Sequence, residues 1–217
     1  KVNQKATVKY VVEGTDTVLH KDELEGKSGA PIDYTTATKL AELKALGYEL
    51  VNDGFTTAPD KNFDKDTKTD QNFDVIVKPK VVDVPPFDPT NPNDPNTPKP
   101  GQPIDPENPT GPKWTEELIK SLENTKHVNR TISYVKEDGS KVEYTDKDGN
   151  KSTADVTDKV TFTRPAKVNV VTGTIEYGKW TPVNNDTTFD KVTSPVAPGY
   201  VLKDTAQKEV AETTGLT

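Results

Sequence analysis

The sequence predicts an α+β protein: two small domains in tandem, elongated, joined by an extended proline-rich linker. Three observations lead there. Prolines recur at every third position through the middle of the chain. The piece before them orders two extended runs, one amphipathic helix and two further extended runs. The piece after them opens on a short helix and continues in turn-punctuated, alternating segments. The boundaries that follow are 1–79 for the first domain, 80–112 for the linker and 113–217 for the second domain.

In the first piece, Ala6 to Glu13 places Val8 and Tyr10 between polar neighbours, the period of a half-buried strand. Gly14-Thr-Asp16 supplies a turn, and a second extended run passes through Val18 and Leu19 toward Leu24. Gly26 and Gly29-Ala-Pro31 break it. Thr36 to Gly47 reads as the helix, with Leu40, Leu43 and Leu46 as its apolar stripe, a threonine at its start and Gly47 at its stop. Tyr48 to Val51 returns to extended structure, and Asn72 to Val77 closes the piece with Phe73, Val75 and Val77 on one face. Strand, strand, helix, strand, strand around a single helix is the order of a small β-grasp (ubiquitin-like) domain.

The linker carries Pro86, Pro89, Pro92, Pro95 and Pro98, then Pro100, Pro103, Pro106, Pro109 and Pro112. A polyproline II helix has three residues per turn, so this spacing stacks the rings along one edge of a rod. Over Pro86 to Pro112 that rod would reach about 80 Å. Beyond it, Trp114 to Glu123 has helical spacing at Leu118, Ile119 and Leu122. Arg130 to Val135 alternates as a strand, Asp138-Gly139 reads as a hairpin turn, and Val142 and Tyr144 follow. Val156, Val160 and Phe162 mark another strand. Gly173 to Tyr177 and Val192 to Val201 supply further extended runs, the last interrupted by Pro195, Pro198 and Gly199.

Composition narrows the function. The formal net charge is −7 and no basic patch interleaves with aromatics, which argues against nucleic acid as a partner. The chain has no Cys, hence no disulfide framework, thiolate metal site or cysteine nucleophile. No apolar run nears the ~18 residues of a membrane span, so no membrane insertion is expected of this stretch. With no Met and a first residue of Lys1, the chain is expected to be a piece of something longer. An acidic, Thr- and Asn-rich chain of this kind suits a bacterial surface protein.

No catalytic constellation emerges, and the chain reads as a non-enzyme that needs no cofactor. His20 and His127 stand apart without the surroundings of a triad or a metal site. Asp146, Asp148 and Asn150 place alternating oxygen donors before a turn, a fragment of a calcium loop. The late bidentate acid of a full loop is missing, because Thr157 stands at its position. The plainer reading is a hairpin turn. Trp180, followed by Thr-Pro and lying outside a clean strand, is the aromatic best placed to stack on a sugar ring, against a plainer reading as a core residue.

Two sets of motifs carry a family resemblance. Val8-Lys-Tyr10, Leu24-Glu-Gly26-Lys-Ser-Gly29, Leu46-Gly-Tyr-Glu-Leu-Val51 and Asp70 to Val77 resemble the mucus-binding (MucBP-type, Mub) domain of adhesins from Gram-positive gut bacteria. Val128 to Tyr134, Val160 to Arg164, Val171 to Ile175, Trp180 and Ser194 to Tyr200 resemble the companion domain of the same repeats. The resemblance implies two β-grasp-like domains in tandem, repeated along an extracellular adhesin anchored to the cell wall, each repeat a monomer within the longer chain. It implies host mucin glycoproteins or their glycans as partners, and immunoglobulins as an alternative protein partner through an exposed β edge. A spacer without a ligand of its own is a third reading. The companion domain is also expected to need one more strand than the chain holds before Thr217.

Overall fold

A computed structural model describes residues 1–145, 147–194 and 199–217. The chain divides into two compact units that interleave in sequence. The first comprises Lys1–Val84, Pro98–Leu122 and Ala166–Glu176; the second comprises Pro85–Thr97, Glu123–Pro165 and Tyr177–Thr217.

The first unit is built on a four-stranded mixed sheet. Its strands are β1 (Asn3–Val12), β2 (Val18–Lys27), β3 (Tyr48–Asp53) and β4 (Gln71–Pro79), in the order β2-β1-β4-β3. The central pair β1/β4 is parallel, Val8 lying opposite Phe73 and Tyr10 opposite Val75, while β2 and β3 pair antiparallel at the edges. Alternation explains the register: Ala6, Val8 and Tyr10 of β1 and Phe73, Val75 and Val77 of β4 are buried on one face. Helix α1 (Ala37–Ala45) joins β2 to β3. It buries Leu43 and half-buries Leu40, but Leu46 lies at the helix end and is 58% exposed, so the expected stripe is one residue shorter. Gly47 then takes φ +103°, the left-handed stop that its position in the sequence predicts. Phe55 packs edge-on against both Phe73 and Tyr34, at 5.1 and 5.2 Å between ring centroids.

A second sheet of this unit pairs β5 (Val81–Val84) with β10 (Ala166–Asn169), which also pairs with β11 (Ile175–Tyr177). Helix α2 (Glu116–Ser121) is capped by Thr115, whose hydroxyl accepts from Leu118 N.

The second unit centres on β6 (Thr125–Ile132) and β9 (Val156–Thr163), antiparallel with Val128 opposite Val160, extended by the two-residue β12 (Thr181–Pro182). Two small ribbons accompany them: β7 (Glu143–Thr145) with β8 (Lys151–Thr153), and β13 (Val192–Thr193) with β14 (Glu209–Val210). Val160, Phe162 and Phe189 form the buried centre, with Val128, Trp180 and Leu216 against it. The expected extended run from Val192 continues past β13 into residues 195–198, which lie outside the described residues.

The proline stretch is not a polyproline II rod. Asp88, Asn91 and Asp94 each precede a proline, and each side chain accepts from the N–H two residues on, at 2.9, 3.0 and 2.9 Å. Their carbonyls accept from Asn91, Asp94 and Thr97, at 3.1, 3.2 and 3.2 Å. Each Asx-Pro step is therefore a β-turn with proline at its second position, and the last residue of one turn starts the next. Asp105 and Asn108 repeat the pattern with Asn108 and Gly111, both at 3.0 Å. Between them the chain doubles back, Trp114 N donating to Gln102 O at 2.8 Å and Ile104 N to Pro112 O at 3.0 Å. A three-residue period suits both the rod and the turn chain. The Asp or Asn before proline decides for the turn, because its carboxylate or amide oxygen satisfies a backbone donor that a rod leaves to water. The residues expected to link two domains are instead divided between the two units, 85–97 in the second and 98–112 in the first.

Candidate binding surfaces

A groove of about 460 Å³ lies in the first unit, where α1, the start of β3 and the Asp105–Asn108 turns converge. Leu40, Leu43, Leu50, Val77 and Val170 give it an apolar lining, to which Tyr48 adds an aromatic ring. Gly47 is required at its edge: a Cβ there would come within 3.0 Å of Val170 and 3.2 Å of Val171, besides the strain of its positive φ. Leu50 is 50% exposed, an apolar residue that the unit leaves uncovered at the groove.

The polar lining is held by the turns. Asp105 and Asn108 are 8% and 6% exposed. Asp105 Oδ1 accepts from Glu107 N at 3.0 Å, and Asn108 Nδ2 donates to Lys44 O at 2.8 Å, fixing the turn against the end of α1. Lys80 lies 3.5 Å from Glu49 and 3.9 Å from Glu107, so its charge is answered on both sides. Sequence reasoning missed Asp105 and Asn108 because the linker reading excluded that stretch from any site. The signal that finds them is the Asx-Pro step itself.

Trp180, the aromatic that the sequence singles out, is half-buried in the second unit and packs on the Val160, Phe162 and Phe189 cluster. Two cations lie over its ring: Lys126 Nζ at 4.7 Å and the Arg164 guanidinium at 4.3 Å from the centroid. Arg164 also stacks over Tyr177 at 3.7 Å, and its Nε donates to Glu123 O at 2.7 Å. The ring faces are thus engaged by guanidinium and ammonium groups, which stabilise the site by cation–π attraction and give it a positive rim.

Of the calcium candidates, Asp146 lies outside the described residues. Asp148 and Asn150 flank Gly149, whose φ of +84° makes the β7–β8 turn. Among the described residues no three His, Asp or Glu side chains gather as a metal site.

The two histidines join separate polar chains. His20 Nε2 pairs with Asp22 Oδ1 at 2.9 Å, and Tyr34 Oη donates to Asp22 Oδ2 at 2.7 Å while meeting Tyr10 Oη at 2.5 Å. Burial pushes the Asp22 carboxyl up, but the hydrogen bonds from Tyr34 and His20 outweigh it and hold it below the usual carboxylate range. His127 bridges Asp88 Oδ2 at 3.0 Å and Thr161 Oγ1 at 2.9 Å, tying β6 and β9 to the first proline turn.

Comparison with known proteins adds to this geometry. Residues 4–79 match the model of a mucin binding domain, and residues 119–217 match that of a Muc B2-like domain. Among solved structures, the chain is similar to the type 2 repeat of the mucus binding protein MUB from Lactobacillus reuteri, at 28% identity and a TM-score of 0.53, covering 97% of this chain and 91% of that one. It is also similar to Mub-RV, at 26% identity and a TM-score of 0.60, covering 98% of this chain and 91% of that one. No curated protein sequence matches it.

Proposed function

The chain belongs to the family of mucus-binding repeats, and from that membership we propose that it is an extracellular adhesin repeat that binds host mucin glycoproteins. The observation that carries the proposal is the pair of mucus-binding family models that together take in both sheet systems, β1–β4 and β6–β14. The work of such a repeat is adhesion and not catalysis. Each copy holds its ligand weakly, and many copies on a cell-wall-attached stalk raise the avidity by orders of magnitude without any new contact. The first unit's sheet order, with parallel central strands and one helix between β2 and β3, supports classing that unit as a β-grasp domain. The second unit is proposed to be its β-rich companion, the two recurring as a monomeric module along a longer chain.

The experiment is binding to immobilised purified mucin, with the chain presented as a monomer and as a multimer. The expected result is weak monomer binding, strong multimer binding and loss of both after the mucin is deglycosylated. A multimer that fails to bind intact mucin overturns the glycan reading.

One observation favours a second reading. Strand β2, ten residues long, lies at a sheet edge beside β1, so its outer side can accept a strand from a protein such as an immunoglobulin. Binding that survives deglycosylation of the partner selects this reading over the first.

A further inference from the structure

We propose that the groove between α1, β3 and the Asp105–Asn108 turns is a binding site for an uncharged sugar residue of a glycan chain. The inference rests on the glycan reading above and assigns it to a place. Four features carry it. The volume of about 460 Å³ is that of a small-ligand pocket. The lining matches a pyranose, which has an apolar face of C–H groups and an edge of hydroxyls: Tyr48 and leucine and valine side chains supply the first, a buried carboxylate and a buried amide the second.

The polar residues are also preorganised. The Asp105 carboxylate caps its own turn and the Asn108 amide is tied to Lys44 O, so little rotamer freedom remains to be lost on binding. Finally, the charge selects against an anion. Lys80 is held between Glu49 and Glu107, Lys78 also lies 3.6 Å from Glu49, and the buried Asp105 carboxylate lies on the lining. An acidic sugar is disfavoured beside that carboxylate. The Trp180 rim in the second unit, with Lys126 and Arg164 over the ring, has the opposite sign and makes the natural competitor.

The test uses the whole chain, labelled for amide and methyl resonances. It is titrated with the neutral disaccharide galactosyl-N-acetylgalactosamine and, separately, with its sialylated form. The expected result is shifts at Leu43, Leu50, Val77 and Val170 with the neutral disaccharide and weaker or no shifts there with the sialylated one. Two variants sharpen it. Asp105→Asn keeps an acceptor for the turn while removing the charge that strengthens a hydroxyl hydrogen bond, and should weaken binding about tenfold. Leu50→Trp places a ring at an exposed strand position facing the groove and should abolish the shifts, with the amide resonances of β1 and β2 in the same unit reporting that its fold is intact.

Shifts confined to the second unit around Trp180, or none with either sugar while the multimer still binds mucin, overturn the groove and leave the mucin reading standing. Groove shifts without mucin binding support the groove and overturn the mucin reading. Equal shifts with both disaccharides overturn the selectivity for an uncharged sugar.

Discussion

The two units are held together by different means. In the first, ten buried residues form one apolar cluster across strands of up to ten residues, with Phe55, Phe73 and Tyr34 locked edge to face. In the second, the cluster between β6 and β9 buries Val160, Phe162 and Phe189 beneath strands of eight residues or fewer, with Phe87, Val142 and Ala154 buried elsewhere in the unit. Much of the remainder is polar. Asn124, 1% exposed, donates to Pro85 O and accepts from Phe87 N; His127 ties Asp88 to Thr161; Arg164 stacks between Tyr177 and Trp180. Apolar burial is non-directional and tolerates small shifts, whereas hydrogen bonds and cation–π stacks lose most of their value once displaced. The first unit should therefore resist salt, and the second should respond to it.

Each unit contains one tryptophan, Trp114 in the first and Trp180 in the second, so fluorescence can follow them separately in single-tryptophan backgrounds. The largest effect is expected from Phe55→Ala. It removes a ring that is 3% exposed and leaves a cavity between two aromatic partners, which costs about 3–5 kcal/mol. Urea unfolding of the first unit should shift by that much, with the Trp180 signal unmoved. Equal shifts at both reporters would erase the distinction between the units. Asn124→Ala comes next, at about 1–3 kcal/mol, because it strands the buried Phe87 N–H and removes the donor to Pro85 O. Its effect should appear at Trp180. Arg164→Ala follows at ~1 kcal/mol, the scale of a partly exposed cation–π stack. Added salt should narrow the gap between this variant and the parent, and a gap independent of salt would locate the loss in packing of the arginine stem instead.

How much of this was legible depended on which residues carried the period. Val8 and Tyr10, and Phe73, Val75 and Val77, alternate because one sheet face is buried, and nothing else in the chain competes for that pattern. Gly47 was legible because few residues other than glycine tolerate its φ. The proline period was equally regular but ambiguous: proline fixes its own φ alike in a rod and in a turn, and the neighbouring Asp88, Asn91, Asp94 and Asp105 settle the choice through their side chains. Strands β5, β10 and β14 escaped notice because four or two residues hold too little of a period to read. The groove was invisible for a compound reason. Its floor is read from α1 and β3, but Asp105, Asn108 and Val170 arrive from stretches far away in sequence.

The smallest expected effect is on acid stability, and it divides the units through two aspartates. Burial raises the Asp53 carboxyl, but hydrogen bonds from the Thr36 hydroxyl and from the Thr56 and Phe55 N–H groups outweigh it, so its pKa is below the ordinary value. The Asp88 carboxyl is lowered first by the Thr90 hydroxyl, then by the Thr90 N–H and the neighbouring His127. A carboxylate whose pKa is lower folded than unfolded contributes stability that is fully present above the unfolded value of about 4 and is lost as pH falls through the folded value. Both units should therefore weaken below about pH 4 and not above it. The first retains its apolar cluster when Asp53 is protonated. The second loses the pairing of Asp88 with His127, which fastens its first proline turn to β6. Acid unfolding should thus begin at Trp180, and Asp88→Asn should flatten that transition, whereas Asp53→Asn should leave the Trp180 curve in place. An acid transition that begins at Trp114 would show that the aspartate at the end of β3, and not the apolar cluster, limits the first unit.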